Sequence, residues 1–524
     1  MLLHAHSERF DESATDVGSE LPEYCQNESQ PALSEAQVTA LLEAKESARL
    51  ELKRVSGKMV SKALETICAF ANSNGGTLIL GLADPRVEPV GDRIYGIEEN
   101  PEAVDELRRK IRSQFDPPEI RVRFRCAPVV RPRGGYVHLL ILEVDRSEHV
   151  HSIVGDGTWT RLDASNSQMT ARQITELAYR RGDRSAEAEC MSIECALLDT
   201  PTWQTYAGAR GLLSGGVADR LMRVGLAELR NGIAQPRRAA VLLFADEPGG
   251  HLAAVGARSE IRLLVYSGTR VEHGQTPNLR KRPRSFRGPL IHLIDGTVRA
   301  VEDELAEGIV FAGSGFETRH RIPMRVVKEA IVNAVIHRDY RLNRDIFVRI
   351  FDNRVEVESP GSLPGTITAE NIRGCGSKAR NPLIARALFD FPVRPNIDAG
   401  EGVRMMFSEM ERAGLYPPVY RELSGAAGDS VVVTLMSDAK PQLWDLVSEW
   451  IDRNGPIGNS SVCKLGTLDT VKASRMLKRW TDLGLLQALE GRGRRNRVYG
   501  KAHAATQSDE LFAEALANND AEGK

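Results

Sequence analysis

Glu51 and Lys53 are separated by a single residue in an apolar stretch (Leu50, Leu52, Val55) that reads as a strand, so both side chains face the same side. Glu46 lies just upstream. From Met59 to Ala71 the residues Val60, Leu64, Ile67 and Ala71 keep helical spacing, and Asn74-Gly75-Gly76 supplies a helix stop. Leu78 to Leu82 then reads as a buried strand with Asp84 at its end. If the helix returns the chain so that its two flanking strands lie side by side, Glu46, Glu51 and Asp84 gather as oxygen ligands for a hard divalent cation, Mg2+ or Mn2+. Lys53 then supplies charge for a phosphate. That is the chemistry of metal-assisted phosphodiester cleavage. The plain alternative is a solvated Glu-x-Lys face, with Asp84 as a turn residue before Pro85.

A second constellation lies on Ile322 to Tyr340. Val327, Ile331, Ala334 and Val335 form an apolar face, while Glu329, Asn333 and His337 recur every four residues as a polar stripe. Downstream, IFVRIFDNRVEVE reads as a hairpin and SPGSLPG as a loop holding Ser359 and Gly361. SKARNPLIARAL opens a helix, and AGEGVRMM, with Gly400 and Gly402, is a Gly-rich turn into a helix.

The third group is C-terminal. Helices are expected over Pro441–Asn454, Ser460–Leu465 and Asp469–Leu483, the last with Thr467 or Thr470 as cap. Its apolar face would use Val471, Met476, Leu477 and Trp480, leaving Lys472, Ser474, Arg475, Lys478 and Arg479 outward. Two short strands then flank a basic tip of Arg492, Arg494, Arg495 and Arg497. Three helices and such a hairpin make a winged helix-turn-helix, whose third helix enters the major groove and whose wing lies on phosphate. The alternative is a module used for protein contacts.

ESARLELK followed by AFANSNGGTLILGLAD, with TWTRLDASNSQMT further on, resembles the Schlafen/AlbA-type DNA-binding domain over residues 37–178. The resemblance implies nucleic-acid binding. In the Schlafen branch it implies a nuclease site, which maps onto Glu46, Glu51 and Asp84. Glu329 and Asn333 have the N-box spacing of the GHKL ATPases, which implies ATP with its magnesium held by the Asn. E-x3-NA-x2-HRDY, RNP and GEGVRM make residues 210–436 resemble the RecG-like module of bacterial predicted transcriptional regulators, a divergent Bergerat-type fold whose second glycine box, with backbone that approaches phosphates, would be matched by Gly400 and Gly402. One departure stands out: Ser359 occupies the place of the Asp that reads the adenine amino group in GHKL ATPases, and a hydroxyl accepts more weakly than a carboxylate.

The chain of 524 residues is long enough for several cores, with 42% hydrophobic and 27% charged residues. Its net charge of −2 excludes wholesale nucleic-acid coating and leaves only local basic surfaces. Seven scattered cysteines without a CxxC pair predict reduced thiols and a cytoplasmic protein. No apolar run approaches a membrane span, and the first residues lack a signal-peptide pattern. A homo-oligomer is compatible with all of this.

The expected fold class is α+β multidomain, combining a Schlafen/AlbA-like α/β domain, a Bergerat-like α/β sandwich and a winged helix-turn-helix. The expected divisions are a disordered acidic leader (1–36), a nucleic-acid-binding domain (37–178), a charged linker (179–199), a GHKL-like module (200–436), the winged helix (437–501) and an acidic tail (502–524). Within the module, RRAAVLLFAD and EIRLLVYSG read as apolar strands. The stretch from Arg270 to Leu290, with Arg280, Lys281, Arg282, Arg284 and Arg287, reads as a basic loop, solvated or phosphate-contacting. Two function classes follow. One is a DNA-binding transcriptional regulator. The other is a Schlafen-like metal-dependent nuclease acting on RNA or tRNA, used in antiphage defence.

Overall fold

The computed structural model describes residues 33, 35–56, 58–84, 93–131, 134–272, 277–312, 315–365, 367–376, 378–395, 400–424, 428–489 and 497–502. They fall into two compact units, one up to Ile174 and the other from Thr175 onward. The expected leader and tail lie almost wholly outside the described residues, as do Arg492, Arg494 and Arg495 of the expected wing.

In the first unit, α1 (Glu35–Glu43) precedes β1 (Leu50–Lys53), α2 (Met59–Asn72) and β2 (Gly76–Leu80). Then come α3 (Pro101–Ser113), β3 (Val122–Val130) and β4 (Tyr136–Val144), and a hairpin of β5 (Trp159–Leu162) and β6 (Ser165–Gln168). The sheet order is β1-β2-β4-β3. β1 and β2 pair in parallel, with Glu51 opposite Leu78, as the return helix predicts. The continuous apolar run of β2 has a direct cause: both faces of the sheet are covered. Leu78, Leu80, Leu140 and Leu142 join the core under α2 and α3. Ile79, Leu139, Ile141, Leu50 and Leu52 join the core under α1. Since Leu50 and Leu52 face α1, Glu51 and Lys53 project on the α2 side.

The second unit opens with the C-terminal half of α4 (Ala171–Arg181). Its further elements include α5 (Arg238–Phe244), β7 (Ile261–Val265), β8 (Arg284–Phe286), α6 (Leu290–Leu305), α7 (Met324–Ile336), β9 (Ile346–Ile350) and β10 (Arg354–Pro360). There follow α8 (Pro382–Phe389), α9 (Gly402–Arg412), β11 (Val419–Leu423) and β12 (Ser430–Met436). A six-stranded sheet of order β8-β7-β9-β10-β12-β11 carries α6 and α7 in one large core. β9 and β10 form the expected hairpin.

The chain ends in α10 (Gln442–Asn454), β13 (Ile457–Gly458), α11 (Asn459–Gly466), α12 (Thr470–Asp482), β14 (Leu486–Ala488) and β15 (Val498–Lys501), the strands pairing in the order β13-β15-β14. This piece has its own core, to which the preceding module adds residues. Tyr416, Val419 and Met436 from the preceding module are buried with Trp444, Leu477 and Trp480 in one cluster.

Several expectations need correction. RRAAVLLFAD is the helix α5, not a strand; all seven of its residues are buried, and a short apolar run with no polar face has no readable period. Residues 179–199 are not a solvated linker: Arg181 is 2% and Glu187 0% exposed. The Glu187 carboxylate accepts from Leu383 N and Ile384 N, both at 2.8 Å, at the N-terminus of α8. The basic loop is partly a strand, β8, and Arg280, Lys281 and Arg287 are paired with Asp352, Glu304 and Glu260. α12 is capped by Asp469, whose side chain accepts from Lys472 N at 2.8 Å, rather than by a threonine. Cys126 is disulfide-bonded, against the expectation of reduced thiols throughout.

Burial pushes the Glu187 carboxyl up from 4.5 to about 7, even against its two N–H donors. The folded chain therefore holds a proton that the unfolded chain releases, so this group's contribution to stability falls as pH rises from about 5 to about 7. Thermal melts over that range should show a slope that the variant Glu187→Gln lacks. Equal slopes in the two proteins would contradict the assignment.

Candidate functional site

The residues of the second constellation come together. Glu329, Asn333, His337, Ser359, Gly361, Gly400 and Gly402 all line one cavity of about 410 Å3 in the second unit. That volume lies within the range of small-molecule sites. α7 supplies the first three from one stripe, because residues four apart stack on one helix face. Its opposite residues, Val327, Ile331 and Val335, are fully buried in the core.

Burial raises the pKa of Glu329, although the Asn333 amide donates to its Oε1 at 3.1 Å and Arg325 and Lys328 oppose the shift. Burial and Arg380 push His337 down to about 4, so its ring is neutral at physiological pH. The Arg380 backbone N–H donates to His337 Nδ1 at 3.4 Å, which places the ring proton on Nε2. Ser359 donates its hydroxyl to Ala334 O at 2.7 Å, so it faces a ligand with lone pairs only. Gly361 (φ 112°) and Gly400 (φ 67°) occupy backbone conformations that favour glycine. A Cβ on Gly402 would fall 1.7 Å from Glu329 Oε1.

The spacing argument missed much of the lining. Lys328, Lys378, Arg394 and Arg404 add positive charge, and Tyr420, Val431 and Val433 add an apolar wall. Only the alternation of β12 and Arg404 in the GEGVRM stretch signalled any of these. The cavity thus offers a basic rim, glycine turns and an apolar interior, a set suited to an anionic ligand with a flat apolar part.

The first constellation also gathers, but differently from a metal centre. Lys53 Nζ pairs with Glu51 Oε1, and Arg161 Nη2 lies 2.7 Å from Glu51 Oε2. Arg161 also donates to Ser47 O, Leu50 O and Asn166 Oδ1, and its guanidinium lies over the Phe70 ring. Both oxygens of Glu51 therefore lie against cations, Oε1 hydrogen-bonded to Lys53 and Oε2 in ion contact with Arg161. Glu46 accepts from Leu52 N at 3.3 Å; burial and the nearby Glu51 and Asp84 charges raise its pKa. Among the described residues no group of three His, Cys, Asp or Glu side chains could hold a metal ion. A Mg2+ or Mn2+ ion at Glu46, Glu51 and Asp84 does not fit this arrangement.

On α12, Ala473, Leu477 and Trp480 face the core while Lys472, Arg475, Lys478 and Arg479 are exposed. Val471, expected in the core, is 59% exposed. Arg479 pairs with Asp438 at 3.0 Å and Lys472 approaches Asp469 at 3.6 Å. Arg497, just ahead of β15, is exposed.

Residues 46–187 match the family described as Schlafen, AlbA_2. Residues 343–435 match the family described as "Putative ATP-dependent DNA helicase recG C-terminal". The chain carries a Schlafen/AlbA_2 domain followed by a RecG C-terminal, HATPase-type domain. The second match begins after α7, so Glu329 and Asn333 rest on geometry. No curated protein matches the chain. Among solved structures, the DIP2311 protein from Corynebacterium diphtheriae is 17% identical, over 89% of this chain and 98% of its own, with a TM-score of 0.38. No helix among the described residues is long and apolar enough to cross a membrane.

Removing one partner of a buried ion pair leaves the other unmatched. Arg161→Ala should therefore destabilise the first unit by about 3 kcal/mol, the lower end of that class because Lys53 remains. Amide exchange in β1 and β2 reads this directly. Unchanged protection would mean that Arg161 is not what stabilises Glu51.

Proposed function

We propose that this protein is a nucleic-acid-binding regulator that grips DNA with its C-terminal helices and holds a nucleotide-type ligand in the cavity of its HATPase-type domain. The observation that carries the reading is the two-sided character of α12. Its core face is packed against Trp444 and Tyr416, and its opposite face exposes four cationic side chains. The order α10-β13-α11-α12-β14-β15 is that of a winged helix-turn-helix, in which the third helix reads the major groove. The Schlafen/AlbA_2 and RecG-type matches also favour nucleic acid as the partner. The cavity supports a nucleotide by its size, basic rim and glycine turns, and Asn333 and Glu329 are the lining residues that would hold its magnesium.

The nuclease reading draws no support from the opening constellation. With Glu51 held by Lys53 and Arg161, the first domain reads as a binding platform.

Arg475 and Lys478 are the two exposed cations of α12 without an ion-pair partner among the described residues. Replacing both with Ala should weaken binding of duplex DNA across all sequences. It should also reduce the slope of log K against log salt by about two. A titration monitored by fluorescence anisotropy at several salt concentrations measures both. Unchanged affinity and slope would make the C-terminal piece a protein-contact module.

A further inference from the structure

Two short paths run from the cavity to the DNA-reading helix, and they meet in one packed core. The first is α9. It begins at Gly402, inside the cavity, where no room exists for even a Cβ beside Glu329 Oε1. Any ligand that shifts the Glu329 carboxylate must therefore shift the start of α9 or be resisted by it. α9 cannot absorb such a shift in its middle, because Met406 and Met410 are fully buried. It spans about 16 Å as an α-helix of its length. Just past its end, Leu415 N donates to Met410 O at 2.9 Å.

The next residue, Tyr416, is fully buried in the C-terminal core. Its hydroxyl accepts from Trp480 Nε1 at 3.3 Å, and its ring meets Trp444 edge-on at 6.0 Å. Trp480 belongs to α12, the helix that presents Arg475 and Lys478 outward. The second path is β11. Val419 lies in that same C-terminal core, while its neighbour Tyr420 lines the cavity and donates its hydroxyl to Met406 Sδ at 3.6 Å. Successive strand residues face opposite ways, so one strand borders both compartments.

We propose that occupancy of the cavity sets the DNA affinity of α12 through α9 and the Tyr416–Trp480 contact. The proposal rests on the nucleotide and DNA readings above and adds their energetic coupling. Coupling between two binding sites is reciprocal. Saturating ATP with magnesium should change the dissociation constant for a labelled random-sequence duplex by at least about fivefold, and the duplex should change the ATP constant by the same factor.

The variant Tyr416→Leu removes the hydroxyl and the ring contact while lying outside both ligand sites. It should leave each constant, measured alone, within about twofold while the coupling factor falls towards one. Tyr416→Phe keeps the ring and guards against loss of fold; its coupling should be intermediate. If both ligands bind and neither changes the constant of the other, the coupling is wrong and the two readings stand. If ATP does not bind at all, the nucleotide reading falls and the coupling falls with it. If both Tyr416 variants keep the full coupling factor, the proposed route is wrong.

Discussion

A charge withdrawn from water must be matched by an opposite charge or by several hydrogen bonds, and this requirement separates scaffold from site throughout the molecule. Glu51 is matched twice over, by Lys53 and Arg161. Asp345 is matched by Arg258 and Arg262. Arg338, with no exposed surface, donates from its Nη2 to the carbonyls of Arg258, Leu342 and Arg344. Each of these fixes neighbouring chain segments to one another. Glu329 differs. Its hydrogen bond comes from a neutral amide, burial raises its pKa, and it faces a cavity with a basic rim. A carboxylate left so lightly matched is where an added cation or ligand gains most.

The same requirement explains why the opening constellation was only half legible in the sequence. Period-two alternation correctly puts Glu51 and Lys53 on one face, and the return helix correctly sets β1 beside β2. Arg161 lies on a different hairpin, far along the chain, and nothing in its sequence surroundings announces that its guanidinium will close over Glu51. Three carboxylates near one another in sequence suggest a cation; the structure supplies one, but it is a guanidinium. The cavity was more legible, because the stripe on α7 and the glycine turns are local features. Its basic lining residues Lys378 and Arg394 come from loops whose position is set by tertiary packing.

Elsewhere, legibility tracked the amount of polar contrast in a segment. α12 alternates buried and cationic residues and was placed to within a residue, although its cap and Val471 were not. α5 has no polar face, so neither helix nor strand period could be read. Residues 179–199 are rich in charge, which ordinarily signals exposure. Here Glu187 is instead the buried carboxyl group that accepts from the first N–H groups of α8, a role that depends on a segment almost two hundred residues away.

The net charge of −2 and the basic face of α12 are compatible because that face is partly self-neutralised. Arg479 is held by Asp438, and Lys472 lies near the capping Asp469. A phosphate drawn to either cation must compete with a carboxylate already in place, so the exchange gains little beyond the loss of one ion pair for another. Arg475 and Lys478 lack such competitors among the described residues. Asp438 and Tyr416 flank the same helix from the module side, one at its charged surface and one at its core. α12 is thus in contact with the preceding module at both its charged surface and its core.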